Sequence, residues 1–89
     1  MSWSIEYSKD SQKFLDKHQD IEEILINEIK KFLLKLKGEK VSINLKKLQG
    51  VWEGYHRIRK GKIRIIFYLD YPDCVVYIDT IDFRGDVYK

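Results

Sequence analysis

The chain has 89 residues, of which 44% are hydrophobic, enough for one domain with one modest core. This composition excludes a disordered tail, and no apolar run approaches the roughly 20 residues that cross a bilayer. The single cysteine, Cys74, excludes an intramolecular disulfide and a cysteine metal cluster. Because Cys74 lies in an apolar run, we interpret it as a buried small hydrophobe. We expect residues 1–89 to form a single domain, and since no signal peptide is visible, a cytoplasmic one.

The net charge of +3 conceals a strong asymmetry along the chain. Residues 1–29 carry three lysines against seven acidic residues, a net charge of −4. Residues 30–64 carry twelve Lys or Arg against two Glu, a net charge of +10, and residues 65–89 return to −3 with two basic and five acidic residues. The basic middle is a candidate surface for a polyanion. Its alternative interpretation is a solvated, lysine-rich helix end and loop.

The first half of the chain predicts one strand and two helices. Residues 3–7 alternate in polarity, which indicates a short strand. Ser8 then caps a helix that extends to about residue 17. A clearer helix starts at Asp20, where a capping box with Glu23 is predicted, and it ends at Gly38 after a lysine-rich last turn.

The second half predicts a connector and three strands. Residues 39–51 have little periodicity and are assigned to the connector. Strands are predicted over residues 52–60, 62–70 and 74–81, with Gly61 in the first turn. The element order is therefore β-α-α-β-β-β. It indicates an α+β fold with a helical hairpin packed on one face of a small, mainly antiparallel sheet.

Three of the four arginines lie in the hairpin formed by residues 52–70, although lysine is the usual cation elsewhere in the chain. Strand alternation places Arg57 and Arg59 on one face, with Tyr55, and places His56 on the other. Arg64 follows on the next strand and also points away from the helices, as does Tyr68. The hairpin thus predicts three clustered positive charges on the outer face of the sheet.

Such a cluster requires a counter-charge, because like charges side by side destabilise a sheet. One alternative is pairing with a nearby aspartate, namely Asp70, Asp79 or Asp82. The other is a bound phosphate, which the planar fork of arginine holds through two parallel hydrogen bonds. Tyr55, Tyr68 and Tyr88 offer flat faces on which a base can stack.

A pattern of glycines, aromatics and arginines resembles the RelE/ParE superfamily of toxins from bacterial and archaeal toxin–antitoxin systems, over nearly the whole chain. The residues that carry the resemblance are Leu48, Gly50, Trp52, Gly54, Tyr55, Arg57, Arg59, Gly61, Arg64, Ile65 and Tyr68, followed by Ile81, Arg84 and Tyr88. RelE-type members are ribonucleases that cut messenger RNA in the ribosomal A site, whereas ParE-type members poison DNA gyrase.

The resemblance implies which residues act. The RelE positions for phosphate-binding or catalytic side chains fall on Arg57, Arg59, Arg64, Arg84 and Tyr88, and all five are basic or tyrosine, which favours RelE over ParE. The implied reaction is metal-independent cleavage of mRNA by its own 2′-OH, with no cofactor. RelE itself often has lysines where Arg57 and Arg59 stand, and arginine does not exchange a proton. The general base therefore stays open.

The implied partners are a cognate antitoxin, the ribosome and mRNA, with no membrane and with DNA reached only through the antitoxin. Two alternatives to the ribonuclease stay open: a gyrase poison of the ParE type, and a catalytically inactive module that binds RNA or an antitoxin. His56 has a pKa suited to acid–base chemistry, but in a regular strand it points toward the core.

Overall fold

The fold consists of a five-stranded sheet with two helices on one side, as described for residues 2–83 by a computed structural model. The elements are β1 (Ser4–Tyr7), α1 (Lys9–Lys17), α2 (Ile21–Leu36), β2 (Asn44–Lys47), a 3-10 turn (Gly50–Trp52), β3 (His56–Lys60), β4 (Ile63–Asp70) and β5 (Val75–Phe83). The strand order is β1-β5-β4-β3-β2, and only β1 and β5 are parallel. The predicted fold class is confirmed.

The core lies between the helices and one face of the sheet. The helices contribute residues that recur every three or four positions, and the strands contribute alternating residues. The buried cluster comprises Leu15, Ile21, Leu25, Ile29, Phe32, Ile58, Ile63, Ile65, Phe67, Val76, Ile78 and Ile81. None of the helices within residues 2–83 is long and apolar enough to cross a bilayer.

One strand was missed by the sequence prediction. Residues 39–51 were assigned to a connector, but Asn44–Lys47 forms the edge strand β2 and pairs antiparallel with β3, from Asn44 opposite Arg59 to Lys47 opposite His56. The segment is short, and its side chains are exposed except for Leu45. Such a strand is held by backbone pairing to β3, so it leaves no hydrophobic alternation in the sequence.

The predicted start of the arginine hairpin was also too early. Gly50–Trp52 forms a 3-10 turn, and β3 begins only at His56. Gly50 and Gly54 have φ of 69° and 93°, a left-handed conformation that glycine adopts without steric cost. These two glycines fold the chain back, and the Leu48 amide donates to the Tyr55 carbonyl over 3.0 Å.

Two smaller predictions were wrong. Asp20 already has a helical backbone, and within residues 2–83 its side chain makes no capping hydrogen bond, so the capping box with Glu23 is not formed. Cys74 lies in the turn before β5 rather than inside the strand, with a φ of 54° and a partly exposed side chain. It is therefore not a core residue.

The first helix is tied to β5 by two serines. The Ser8 hydroxyl accepts from the Ser11 amide as the N-cap and donates to the Asp79 carbonyl over 2.6 Å. The buried Ser11 hydroxyl donates to the Ile78 carbonyl over 3.1 Å. Asp79 is an extra residue in β5, because Ile66 lies opposite Thr80 while Phe67 lies opposite Ile78. The N-cap serine of α1 thus supplies a hydrogen-bond donor to a backbone carbonyl of a β-bulge.

We expect Ser8→Ala to lower the free energy of unfolding by about 1–2 kcal/mol, because it removes the N-cap acceptor and the donor to the bulge. Urea unfolding followed by circular dichroism measures this change. Ser2→Ala, at an exposed position outside any element, is the matched control and should leave stability unchanged. Equal stability of the two variants would contradict a structural role for this cap.

Candidate functional site

The hairpin of β3 and β4 places its arginines on one face of the sheet and most of its apolar side chains on the other. Ile58 and Ile65 are cross-strand partners and are completely buried beneath the helices. Arg57 and Arg59 alternate with Ile58 and so point away from the helices, to the surface called here the outer face. Gly61, with a φ of 58°, lies in the two-residue loop that closes the hairpin. The predicted arrangement is confirmed.

Three rows of side chains make up the outer face. The first, called the arginine row, contains Asn44, Arg59, Arg64 and Asp82, each opposite the next across the sheet. The second contains Lys46, Arg57, Ile66 and Thr80. The third, called the aromatic row, contains Trp52, Tyr55, Tyr68 and Tyr77. Positive charge therefore lies at one end of the face and aromatic surface at the other.

The Arg64 side chain is held by an aspartate. Its Nε donates to Asp82 Oδ1 over 3.0 Å, and one terminal nitrogen donates to Oδ2 over 2.8 Å. This bidentate pair is partly shielded from solvent, with side-chain exposures of 15% for Arg64 and 32% for Asp82. Of the two alternatives for the counter-charge, pairing with an aspartate is therefore the one observed for Arg64. The carboxylate neutralises the charge and fixes the guanidinium plane.

Arg59 lies directly opposite Arg64 but has a different environment. Its Nε is buried and has no hydrogen-bond partner among residues 2–83. A buried donor without an acceptor costs about 1–3 kcal/mol, and the adjacent Arg64 charge adds repulsion. An anionic oxygen placed beside Arg59 would remove both costs. Arg59 is thus the arginine of the row whose environment most favours an anionic ligand.

Arg57 is positioned by the edge strand. A terminal nitrogen of Arg57 donates to Asn44 Oδ1 over 3.2 Å, and Lys46 is its cross-strand neighbour on β2. Since the sequence prediction had no strand here, both contacts were missed. The strand adds a second positive charge beside Arg57 and widens the basic surface beyond the hairpin.

The aromatic row is a continuous series of ring contacts. Trp52 and Tyr55 have centroids 5.1 Å apart, Tyr55 and Tyr68 5.2 Å, and Tyr68 and Tyr77 5.1 Å. The first two contacts are edge-to-face and the third is tilted. All four rings keep some exposure to solvent. The sequence prediction named Tyr55 and Tyr68 as stacking surfaces but did not give that role to Trp52 or Tyr77.

Tyr68 is not suited to act as a base at neutral pH. Partial desolvation raises its pKa above the ordinary value of 10, and the neighbouring Tyr55, Tyr77, Asp70 and Asp79 add to the shift. A phenol with a raised pKa stays protonated near pH 7. Tyr68 therefore offers an aromatic face and a neutral hydroxyl.

His56 belongs to the core side, as strand alternation predicted. Its ring stacks on Phe67 with centroids 5.5 Å apart and contacts Phe32 at 5.3 Å. Burial lowers the pKa of His56 below 6.5, and the positive charge of Lys47 lowers it further. The ring is neutral near pH 7 and lies across the sheet from the arginines, so it does not serve their chemistry.

Two of the predicted site residues, Arg84 and Tyr88, lie outside the described residues, and their roles stay predictions. Among residues 2–83, the arginine row contains no histidine, lysine or cysteine. Over the same residues, no group of three or more His, Cys, Asp and Glu is arranged to hold a metal ion. The described part of the site supplies positive charge and aromatic surface, and it leaves the acid–base group unassigned.

Comparison with known proteins identifies the fold. No protein-family model matches the chain, and no curated protein matches it by sequence. Solved structures do match. The RelE–RelB complex from Pyrococcus horikoshii has 25% identity and a TM-score of 0.57, with 96% of this chain and 98% of that chain covered. The RelB–RelE antitoxin–toxin complex from Methanococcus jannaschii has 21% identity and a TM-score of 0.65, with 93% and 94% covered.

The chain has the RelE toxin fold. YafQ from E. coli agrees, with 18% identity, a TM-score of 0.59 and coverage of 99% of this chain and 100% of that chain. The match extends over nearly the whole length of each protein, so it includes both helices and the sheet. The resemblance inferred from the glycine, aromatic and arginine pattern is thereby confirmed for the fold. Within the RelE fold, the arginine row occupies the outer face of the sheet.

The His56 environment predicts a pH dependence of stability. An unfolded histidine has a pKa of about 6.5, and the folded pKa lies below it. The unfolded state then binds more protons, so stability falls as pH decreases through about 6.5 and levels off below the folded pKa. His56→Phe should remove this component from a pH series of urea unfolding experiments. A wild-type and a variant series of identical slope would contradict the prediction.

The Arg64–Asp82 pair should contribute measurably to stability. We expect a double-mutant cycle with Arg64→Ala, Asp82→Ala and the double variant to give a coupling free energy of about 1 kcal/mol, because the pair is bidentate but partly solvated. Urea unfolding measures the three differences. As a control, the same cycle on Gln12 and Asp16, an exposed pair on α1, should give a smaller coupling. Equal couplings would mean that solvent screens the Arg64 pair completely.

Proposed function

We propose that this protein is the toxin of a toxin–antitoxin pair and that it is an endoribonuclease that cuts mRNA in the ribosomal A site and so inhibits translation. The observation that carries the proposal is the arginine row on the outer face of a RelE fold. Similar solved structures include RelB–RelE and DinJ–YafQ complexes. By analogy the partner is a cognate antitoxin. An antitoxin segment rich in carboxylates would complement the basic outer face.

The reaction begins with attack of a ribose 2′-oxygen on the adjacent phosphorus. The bond to the 5′-oxygen of the next nucleotide breaks, leaving a 2′,3′-cyclic phosphate and a 5′-OH. One proton leaves the 2′-oxygen and another joins the 5′-oxygen. The phosphorane between these states carries extra negative charge, and preorganised cations stabilise such charge by a few kcal/mol per group. No step requires a cofactor or a metal ion.

Arg59 and Arg64 are suited to stabilise the phosphorane. Arg59 presents a buried N–H that lacks an acceptor among residues 2–83, so a phosphate oxygen would satisfy it. Arg64 is held in a fixed plane by Asp82, which reduces the reorganisation needed when the phosphate arrives. Arg57 and Lys46 extend the positive charge toward the neighbouring phosphates. Arg84 and Tyr88 complete the proposed set.

The arginines of the described residues are not suited to transfer the protons of this reaction. A guanidinium keeps its proton at any physiological pH, and His56 lies on the opposite face of the sheet. Among the site residues that the RelE resemblance implies, Tyr88 is the one whose side chain can exchange a proton. A tyrosine with an ordinary pKa near 10 acts as a base at neutral pH only when nearby cations lower that value. The clustered arginines would supply that effect.

A second candidate is an inactive module that binds RNA or an antitoxin without cutting. The observation that favours it is the Arg64–Asp82 pair, because Asp82 occupies two donors that a catalytic arginine offers to phosphate. Such a module would hold RNA through Arg57 and Arg59 alone. A gyrase poison of the ParE type is the third alternative, and it would stop replication while leaving mRNA intact.

Primer extension on a reporter mRNA, after brief induction of the protein in cells, tests the proposal. We expect cuts in register with codons for the wild type and at least about a hundredfold weaker cutting for Arg59→Gln, because a lost charge-stabilising group costs two to three orders of magnitude. Lys60→Gln removes the same charge from the same strand. Since Lys60 faces α2 beside Asn27 and Glu28, this control should cut normally.

The possible outcomes separate the candidates. Uncut mRNA with halted growth would replace the ribonuclease by the gyrase poison. Uncut mRNA with normal growth would leave the inactive module. Equal loss of cutting in Arg59→Gln and Lys60→Gln would show that overall charge matters and that the arginine row has no special role.

A further inference from the structure

The aromatic row has a position and an accessibility that core packing does not explain. Its four rings lie on the outer face, away from the buried cluster between the sheet and the helices. Trp52 keeps 38% of its surface exposed, and the adjacent Val51 keeps 95%. Edge-to-face and tilted contacts order the rings, so that they form a preorganised surface that needs little rearrangement to accept a ligand.

The charges around the aromatic row indicate the chemistry of its ligand. Arg57 and Lys46 lie between it and the arginine row, so positive charge borders it on that side. Asp70 lies on its other side, opposite Val75 at the end of β4. Asp79, the extra residue between Ile78 and Thr80, brings a second carboxylate close enough to affect Tyr68. Flat aromatic surface beside fixed cations is the arrangement that binds single-stranded nucleic acid, in which bases stack and phosphates pair.

The separation of the two rows fits a short stretch of nucleic acid. Arg64 and Tyr68 are four residues apart on β4, a distance of about 13 Å at the rise of a strand. Successive phosphates of one strand lie about 3.4 Å apart along the axis of a stacked duplex, and farther apart in an extended strand. Roughly two to four nucleotides therefore connect a phosphate at the arginine row with a base at the aromatic row.

We infer that the aromatic row is a stacking platform for the bases of single-stranded RNA whose phosphates are held by the arginine row, an inference that rests on the proposed function. The RNA runs from the arginine row past Arg57 and stacks at least one base on the ring of Tyr68 or of Tyr55, each of which offers its own stacking surface because the two rings stand edge-to-face. The acidic side at Asp70 marks the end of this track. Because every base has an aromatic face, the platform increases affinity without selecting a sequence.

The test measures binding of a short, labelled 2′-O-methyl oligoribonucleotide, which cannot be cut by its own 2′-oxygen, by fluorescence anisotropy at low ionic strength. We expect Tyr68→Ala to weaken binding at least about fivefold, the loss typical of one stacked base. Tyr68→Phe keeps the ring and should bind like the wild type. Tyr71→Ala removes an exposed tyrosine outside the row and should also bind like the wild type.

A series of oligonucleotides, each with one base removed, locates the stacked base. Removal of the base at one position should weaken wild-type binding by a factor similar to that of Tyr68→Ala. The same oligonucleotide should show no further loss of binding to the Tyr68→Ala variant. Circular dichroism checks that the variant is folded. If it is not, Tyr55→Leu, which keeps an apolar side chain without an aromatic face, replaces it.

The failure of this inference and that of the proposed function give different results. If Arg59→Gln weakens binding but Tyr68→Ala and base removal do not, the platform is overturned while phosphate binding stands. If Tyr68→Ala weakens capture of a co-expressed antitoxin but leaves oligonucleotide binding unchanged, the row is a protein-binding surface and the inference is wrong. If the wild-type protein does not bind the oligonucleotide and does not cut mRNA in cells, both the inference and the proposed function fail.

Discussion

The alternation of β4 between a face buried beneath the helices and the outer face is the constraint on which the site depends. Ile63, Ile65 and Phe67 are buried against the helices, and this burial fixes the register of the central strand. A slip by one residue would exchange the faces and would place Arg64 in the core, at a cost of several kcal/mol for an unpaired buried charge. The packing of the helices therefore determines where the charges stand.

The outer face combines like charges that oppose folding with contacts that compensate for them. Arg59 and Arg64 are cross-strand neighbours, and Asp82 neutralises one of the two at the end of the same row. Arg57 is held by an amide oxygen, which orients it without removing its charge. The result is a surface that is orderly in the absence of ligand and still carries net positive charge. Such preorganisation is what electrostatic stabilisation of a transition state requires.

The sequence was sufficient to predict features that follow from a repeating pattern of side chains. It was insufficient to predict features that depend on one particular contact. Alternation in β3 and β4 predicted the arginine cluster and the inward His56, and helical spacing predicted α2. The edge strand β2 was missed because its partner on β3, rather than its own side chains, holds it in the sheet. The Asp20 capping box failed because the chain enters α2 through a helical turn, with the Ile21 amide bonded to the His18 carbonyl. Asp82 was one of three aspartates that could have paired with the arginines. Only the register of β5, which places it opposite Arg64, distinguishes it from the other two.

That register depends on the bulge at Asp79. Tyr77 faces outward and Ile78 inward, and without an extra residue Ile81 would face outward as well. The bulge reverses the alternation, so that Ile81 is buried and Asp82 lies opposite Arg64. The Ser8 hydroxyl holds the bulge through the backbone carbonyl of residue 79. The register of β5 therefore depends more on there being a residue at position 79 than on which side chain it carries. During evolution, β5 can therefore accept replacements at this position more readily than it can accept a deletion, which would turn the carboxylate partner of Arg64 into the core.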